Sequence, residues 1–405
     1  MQPETEPAPP ARVVHGRVLP VQALRQAIAD GVIRAPDVPR GNIQPASLDL
    51  RFGAVAYRLR ASFLAHSSSV QAAIDQYAIE EMPIDPQRGL VLEPRRPYLI
   101  PLRESLDLPA DLAGFVNPKS SAGRVDTLCR ALTDRSDSFD QIRRGYRGPL
   151  YVEVVSRTFP LLIRPDMTLV QLRLFDNNPG LVTDEELRAV HRDVGLVHDP
   201  ETGKKVPMPI TDEGLGLTLD LRGDEHGVVG YRAKRNTEVL DFDDRDQLWQ
   251  RFWEPVYRDV DHERLVLEPE EFYLLLSREA ITIPPLLAAE MVPYDVRSGE
   301  VRTHYAGFFD PGFGFDTSSG WGTKGRVGGG SQATLEVRAH DVPFVVEQGQ
   351  RVCWMTYSKM TEVPEFLYGA EIGSNYQDQI NTLSKHFTRP VTRPRTTQGN
   401  LFSVG

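Results

Sequence analysis

The segment Leu90-Val91-Leu92-Glu93-Pro94 recurs 175 residues later as Leu265-Val266-Leu267-Glu268-Pro269. Two further segments recur in the same order, at offsets of 171 and 183: Ser47-Leu48-Asp49-Leu50-Arg51 as Thr218-Leu219-Asp220-Leu221-Arg222, and Tyr151-Val152-Glu153-Val154 as Thr334-Leu335-Glu336-Val337. A slowly growing offset is typical of a duplicated domain whose loops have changed length. The sequence therefore predicts two tandem copies of one domain.

Both copies consist mainly of short segments in which apolar residues alternate or run together between Gly, Pro and Asp. Such segments predict strands, and 32 glycines with 32 prolines favour many strands joined by turns. Residues 21–30 and 183–194 instead show the apolar spacing of helices. The predicted fold class is mainly β, with two tandem sandwiches or barrels and a few short helices.

The repeats also set the expected domain boundaries, because each copy must contain all three matched segments. The expected divisions are a disordered acidic and Pro-rich tail (1–15), a first domain (16–180), a linker (181–210), a second domain (211–365) and a C-terminal tail (366–405). We expect the basic stretch 385–395 to form an extended arm rather than a ligand site.

Charge and composition exclude several classes of partner. The chain has 56 acidic and 46 basic residues, a net charge of -10, which argues against nucleic acid or an anionic membrane surface as the main partner. No apolar run reaches the roughly 18–20 residues of a membrane span. The two cysteines, Cys129 and Cys353, are not at metal-ligand spacing, so neither a disulfide framework nor a zinc site is predicted. We expect a cytoplasmic protein.

The loop 117–124 concentrates groups that suit a polyphosphate. Lys119 supplies a point charge, Arg124 a bidentate fork, and Ser120 and Ser121 supply hydroxyl donors, within six residues. A basic, Ser-rich turn can equally be an ordinary solvated loop. The pattern becomes informative only together with its neighbours.

Glu153 lies between two valines in a predicted strand, so its side chain shares a face with Tyr151. A strand glutamate is commonly a surface residue. In a pocket, however, burial would raise its pKa and suit it to general acid–base catalysis.

These segments together resemble the dCTP deaminases of the dUTPase-like superfamily. The resemblance is carried by residues 108–114, by Lys119-Ser120-Ser121 with Arg124, by Gly145-Tyr146-Arg147-Gly148 and by Tyr151-Val152-Glu153-Val154. It covers nearly all of the first half, and the double length looks like the long bacterial form. It implies dUTPase-like distorted β-barrels that assemble into a homotrimer, with nucleotide sites between subunits.

The resemblance also implies a role for each matched residue. Lys119, Ser120, Ser121 and Arg124 would hold the triphosphate of dCTP, with a magnesium ion bound mainly to the phosphates. Tyr151 and Val152 would offer backbone contacts to cytosine, and Glu153 would be the general base for attack of water on C4. The products would be ammonia and dUTP, feeding dUMP and dTTP synthesis. Zinc deaminases carry His-x-Glu and Pro-Cys-x-x-Cys, which this sequence lacks, so zinc independence is expected.

The second copy departs from the family pattern at its phosphate loop. It retains Asp310-Pro311-Gly312 and Glu336, but residues 293–297 lack the serine pair and include Asp295, which would repel a triphosphate. We therefore expect a chiefly structural second copy. Its C-terminal segment, with Tyr368, Tyr376 and Gln379, resembles the tail that closes over the nucleotide in short family members.

Two questions stay open at the level of sequence. The site is built either from first copies alone or from unlike copies, which would combine Ser120 and Arg124 with Asp310 and Glu336. The alternative activities are a dUTPase, a bifunctional enzyme that releases dUMP, or a non-catalytic nucleotide-binding scaffold. Arg143 stands where an Asp would be expected for dUTP hydrolysis, which disfavours the dUTPase.

Overall fold

The computed structural model describes residues 16–211, 214–259, 261–293, 301–303, 307–315, 329–339, 341–369 and 382–388. The first copy contains α1 (Val21–Ala29), β1 (Ile33–Arg34), β2 (Leu48–Leu50), β3 (Val55–Leu59), α2 (Val70–Tyr77), β4 (Ala78–Pro83), β5 (Leu90–Leu92), β6 (Tyr98–Asp107), β7 (Ala113–Pro118), α3 (Ser120–Gly123), β8 (Thr127–Leu132), β9 (Gln141–Ile142), β10 (Arg147–Ser156), β11 (Leu161–Ile163) and β12 (Val170–Phe175).

The second copy has the same mainly β character. It contains α4 (Asp184–Asp193), β13 (Val197–His198), β14 (Ile210–Thr211), β15 (Gly214–Asp220), β16 (Val228–Ala233), β17 (Leu240–Asp241), β18 (Trp253–Tyr257), β19 (Arg264–Leu267), β20 (Phe272–Ile281), β21 (Leu287–Pro293), β22 (Val301–Thr303), β23 (Phe308–Phe309), β24 (Ser331–Ala339), β25 (Phe344–Glu347) and β26 (Arg351–Lys359). None of the helices in the described ranges is long and apolar enough to cross a membrane.

Strand register confirms the duplication. Leu92 on β5 pairs with Leu161 on β11, and Leu267 on β19 pairs with Phe344 on β25. These partners are related by the same offsets of 175 and 183 that the sequence shows. Equivalent registers in both copies mean that side chains at repeated positions point to equivalent faces.

The predicted carboxylate strands are equivalent in the same way. Glu153 on β10 lies opposite Leu99 on β6, and Glu336 on β24 lies opposite Leu274 on β20. The two glutamates therefore start from the same position in the same fold. Any chemical difference between them must come from what covers each sheet.

The second copy begins earlier than the repeats suggested. Thr183 and Glu186 form a reciprocal capping box that starts α4, and β13 then pairs Val197 with Ile281. In the first copy α1 leads to β1, which pairs Ile33 with Leu106 in the equivalent way. Residues 183–198, which we expected within a linker, are thus the counterpart of the opening helix and strand of the first copy.

The strand pairs form several sheets rather than one continuous ladder. In the first copy, β4-β3-β6-β10-β8, with β1 beside β6, faces a second sheet of order β2-β12-β7-β9. In the second copy, most strands join one large sheet around β20 and β26, and β19 pairs with β25. Among the described residues, these sheets pack around apolar cores, and closure into the expected barrels stays a prediction.

Equivalent loops of the two copies take different paths. The loop after β3 closes where Arg60 N–H donates to Tyr77 O at 3.1 Å, and the loop after β16 closes where Lys234 N–H donates to Phe252 O at 2.8 Å. The first loop carries α2, which packs Val70 and Ile74 against Tyr151 of its own sheet. The second carries β17, which crosses to the first copy and extends β11 in parallel.

A buried arginine joins the two copies. Arg173 on β12 donates to Ala289 O and Phe309 O, both at 2.9 Å, and to the Asp310 carboxylate at 2.8 Å. Its guanidinium also stacks on the Phe308 ring, 4.0 Å from the centroid. Every one of these partners belongs to the second copy, while Arg173 is 2% exposed.

Arg173→Met should therefore strongly destabilise the chain, because it leaves Asp310 buried without its cation. We expect a loss of about 3–5 kcal/mol in the free energy of unfolding, the usual cost of breaking a buried ion pair. Chemical denaturation monitored by tryptophan fluorescence measures it. The matched control is Arg95→Met, which removes an exposed pair with Glu270 that also joins the copies and should contribute less than about 1 kcal/mol. Equal losses in the two variants would contradict the role of Arg173.

Candidate active site

One cavity of about 390 Å³ lies between the two copies, within the size range of small-molecule sites. Both copies and the C-terminal segment contribute to its walls. The residues that line it are Gly41, Asn42, Gln44, Asp49, Lys119, Ser120, Ser121, Arg124, Thr168, Gln171, Arg245, Met291, Gly307, Phe308, Phe309, Asp310, Phe313, Ala333, Thr334, Glu336, Tyr368 and Lys385.

The predicted phosphate loop forms one wall. β7 ends at Pro118, Lys119 is still extended, and the chain turns into the short helix α3. Lys119 N–H donates to Leu169 O at 2.8 Å, which fixes the turn against the residue that directly precedes β12. Ser121 and Arg124 are buried, whereas Lys119 and Ser120 are half-buried. All four loop residues predicted from the sequence line the same cavity.

Lys119 is held at the wall by first-copy residues. Its ammonium forms an ion pair with Asp49 and donates to Thr168 Oγ1 at 2.9 Å. Burial raises the pKa of the Asp49 carboxyl, although the adjacent Lys119 opposes this shift. The repeated segment 47–51 thus contributes a carboxylate that orients the lysine, a role that its strand pattern did not indicate.

Glu336 of the second copy faces the phosphate loop of the first. A methyl group placed on Gly123 would lie 2.6 Å from Glu336 Oε1, so glycine is what allows the carboxylate to approach α3. Burial raises the pKa of Glu336 well above its usual value, the Arg124 cation opposes this shift, and Asp126 adds to it. A buried carboxyl with a raised pKa suits proton transfer near neutral pH.

The other second-copy candidates also lie at this cavity. Asp310 accepts hydrogen bonds from Arg173 and, at 3.4 Å, from the Ser47 hydroxyl. Tyr368 packs its ring 5.9 Å from Phe313. The described part of the second copy therefore contributes directly to the site, contrary to our expectation of a chiefly structural copy. Tyr376, Gln379 and Asp295 lie outside the described residues.

Glu153 lies elsewhere. Its carboxylate accepts a hydrogen bond from Arg130 at 2.5 Å, and Arg130 in turn stacks on Phe139 at 3.9 Å and donates to the Ser62 hydroxyl. Glu153 is 1% exposed, and neither it nor Tyr151 or Val152 lines the cavity. The α2 loop covers this face of the sheet, so the catalytic role of Glu153 stays a prediction that the geometry does not support.

Two cations at the cavity were not predicted from the sequence. Arg245 comes from the loop after β17, and Lys385 comes from the basic stretch that we expected to be an extended arm. Burial, together with the positive charges of Lys119 and Arg245, lowers the pKa of Lys385 to about 8. The C-terminal segment is fixed beside the phosphate loop, where Ser384 Oγ donates to Ser121 O at 3.3 Å and Arg124 donates to Thr382 O at 3.4 Å.

Comparison with known proteins accounts for both copies. The family model of the 2'-deoxycytidine 5'-triphosphate deaminase N-terminal domain matches residues 15–178, and that of the C-terminal domain matches residues 183–387. The chain belongs to the dCTP deaminase family. The two matches meet near residue 180, where the structure also places the start of the second copy.

Individual relatives of the dCTP deaminase family agree with this membership. The crystal structure of 2'-deoxycytidine 5'-triphosphate deaminase from Agrobacterium tumefaciens is 41% identical, with a TM-score of 0.77 over 87% of this chain and 100% of that chain. A dCTP deaminase from Ignicoccus hospitalis is 27% identical over 100 residues, 25% of this chain and 51% of the relative. A dUMP-forming dCTP deaminase from Parafrankia sp. is 32% identical over 156 residues, 38% of this chain and 72% of the relative. The chain thus spans about half the length of the Ignicoccus relative.

The two equivalent glutamates should have opposite effects on stability. Because its pKa is raised on folding, Glu336 destabilises the folded chain increasingly as pH rises from about 4.5 through that raised pKa. Glu336→Gln should therefore raise the melting temperature, and by more at pH 8 than at pH 5. Glu153→Gln should lower it, since Arg130 loses its buried partner. Thermal unfolding of both variants across this pH range measures the effect, and a Glu336→Gln gain that shrinks with rising pH would contradict it.

Proposed function

We propose that this chain deaminates dCTP to dUTP and ammonia in the cavity between its two copies. One observation carries the proposal: the Lys119–Arg124 loop of the first copy and the buried Glu336 of the second line the same cavity. The loop has the donors that a triphosphate requires, and burial raises the pKa of Glu336, the direction that makes a carboxylate a stronger base. Membership of the dCTP deaminase family supports the choice of substrate.

In this proposal, the triphosphate lies along the first-copy wall. Ser120 and Ser121 donate to phosphate oxygens, while Arg124 and Lys119 supply positive charge. The cytosine points to the second-copy wall, where Thr334 and Leu335 occupy the register positions equivalent to Tyr151 and Val152. We therefore transfer the expected backbone contacts with the base to this pair.

Glu336 would act on a water molecule at C4 of the cytosine. It accepts a proton as the C4–O bond forms, and it returns a proton to the amino group as the C4–N bond breaks. One water proton ends on N3 of uracil and the other leaves with ammonia. Gly123 allows the carboxylate to approach the substrate-binding loop, and burial makes it a stronger base than an exposed glutamate.

The donor groups of the cavity support a mechanism without zinc. Among the described residues, its lining contains neither histidine nor cysteine, the usual zinc ligands of nucleobase deaminases. We propose that magnesium enters as the complex with the triphosphate, because Asp49 and Asp310 already pair with Lys119 and Arg173. A group of Asp259, Asp261 and His262 lies outside this cavity.

Glu336→Gln should lower kcat for dCTP deamination by about 100-fold to 10,000-fold, the usual contribution of a general base. In the unchanged chain, kcat should fall as pH decreases through the raised pKa of Glu336, since the base becomes protonated. Ammonia release from dCTP, measured across pH with magnesium present, provides both readouts.

Glu153→Gln is the matched control, because it changes the equivalent residue of the other copy. It should deaminate dCTP at close to the unchanged rate at temperatures where it stays folded. Full activity of Glu336→Gln would contradict a site formed by the first-copy loop and the second-copy glutamate. Loss of activity in a folded Glu153→Gln protein would indicate that Glu153 is the general base. Binding of dCTP without turnover in the unchanged chain would favour a non-catalytic nucleotide-binding scaffold.

Asp310 is the residue on which further hydrolysis of dUTP to dUMP would depend. It stands at the Asp position that the first copy lacks at Arg143, and the Parafrankia relative is dUMP-forming. Both oxygens of the Asp310 carboxylate, however, are engaged, one by Arg173 and the other by Ser47. A carboxylate whose two oxygens are engaged in this way has no oxygen left to orient a second water, so we propose that dUTP is the released product.

Chromatography of the reaction mixture should show dUTP accumulating in step with ammonia. No dUMP or pyrophosphate should form, because Asp310 is committed to Arg173. Added dUTP, incubated under the same conditions, serves as the control for a separate pyrophosphatase step. Stoichiometric dUMP from dCTP would establish the bifunctional reaction instead.

A further inference from the structure

The cavity has a second cationic wall beside the loop that the sequence identified. Arg245 and Lys385 line it together with Lys119 and Arg124, so four cations meet at one cavity. The loop cations belong to the first copy, whereas Arg245 and Lys385 come from the second copy and the C-terminal segment. These two residues have no role in the mechanism described above.

The second cationic wall is held by defined contacts. Leu240 N–H donates to Pro160 O at 2.8 Å and Phe242 N–H donates to Leu162 O at 3.2 Å, which fixes the start of the loop that carries Arg245. Further along this loop, Thr388 N–H donates to Gln247 O at 2.9 Å. The chain segments that carry Arg245 and Lys385 are therefore fastened to each other and to the first copy.

Aromatic packing fixes the C-terminal side of the same wall. The His386 ring lies 4.2 Å from the Phe242 ring, and Phe387 lies 5.3 Å from Phe252. His386 and Phe387 are both buried, while Lys385, beside them in sequence, is half-buried. Lys385 is thus presented to the cavity by anchored neighbours.

The four cations that line the cavity outnumber its three carboxylates, Asp49, Asp310 and Glu336. Lys119 is paired with Asp49, but no ion pair of Arg245 occurs within the described residues. Lys119, Arg245, Asp49 and Asp243 are among the charged groups that act on Lys385. Like charges placed together at a partly buried wall repel one another, and a polyanion relieves this repulsion.

We propose that Arg245 and Lys385 bind the outer phosphate groups of the nucleotide, and that they give the site its preference for a triphosphate over a monophosphate. This inference rests on the proposed function. A monophosphate would reach only the first-copy loop, at Ser120, Ser121 and Arg124. Since Arg124 and Asp126, rather than Arg245 or Lys385, are the charges that shift the pKa of Glu336, loss of the second cationic wall should raise KM for dCTP and leave kcat nearly unchanged.

The test compares Arg245→Ala and Lys385→Ala with the unchanged full chain, using dCTP and dCMP. Each variant should lose roughly tenfold in kcat/KM for dCTP, as expected for one charge-assisted contact, with no comparable loss for dCMP. Lys385→Arg should restore most of the loss. Arg251→Ala is the matched control, because Arg251 lies in the same loop but pairs with Glu238 at the surface. Unchanged preference for dCTP over dCMP in both alanine variants would overturn the inference.

Calorimetry with inorganic tripolyphosphate separates this inference from the proposed deamination. The full chain should bind tripolyphosphate, and Arg245→Ala should bind it roughly tenfold more weakly. Binding should also weaken as pH rises through about 8 in the unchanged chain but not in Lys385→Arg, since the lysine loses its charge there. If dCTP is not deaminated and these results hold, only the reaction is wrong. If dCTP is deaminated and Arg245→Ala binds tripolyphosphate normally, only the phosphate-binding role of the second cationic wall is wrong.

Discussion

The buried guanidinium of Arg173 determines how the two copies meet. A charge removed from water needs several close partners, and Arg173 finds them in Ala289 O, Phe309 O and the Asp310 carboxylate. Arg173 lies on β12 beside β7, the strand that leads into the phosphate loop. Two of its partners, Phe309 and Asp310, line the cavity. This ion pair thus ties the sheet that leads into the loop 117–124 to the second-copy residues at the cavity.

The asymmetry between the copies follows from one loop. After β3 the chain folds back as α2 and covers the sheet face that bears Glu153. After β16 the equivalent loop crosses as β17 to the first copy and leaves the face that bears Glu336 open to the interface. Two glutamates at the same register position therefore meet different surroundings. Glu153 is paired with Arg130, and Glu336 is buried near Gly123 with a raised pKa.

Duplication within one chain changes what each copy must keep. In the proposed site, the first copy supplies anion-binding groups and the second supplies a carboxylate, so neither needs a complete site of its own. This division is consistent with a second copy that lacks the serine pair at residues 293–297. The second copy and the C-terminal segment also bring two further cations, Arg245 and Lys385, to the same cavity.

The sequence alone determined the duplication and the mainly β fold, because both depend on short segments that recur along the chain, and it located the loop 117–124 by residue types that are close together in it. Strand pattern and offset predicted that Glu153 and Glu336 are equivalent, and their registers with Leu99 and Leu274 confirm it. Which glutamate meets Lys119–Arg124 could not be predicted, since that depends on the path of a loop between distant strands. Lys385 was misjudged for the same reason: a basic tail segment has no local signal for where it docks. Only tertiary packing decides which charges share a cavity, because burial and long-range pairing, rather than residue type, determine their pKa and their partners.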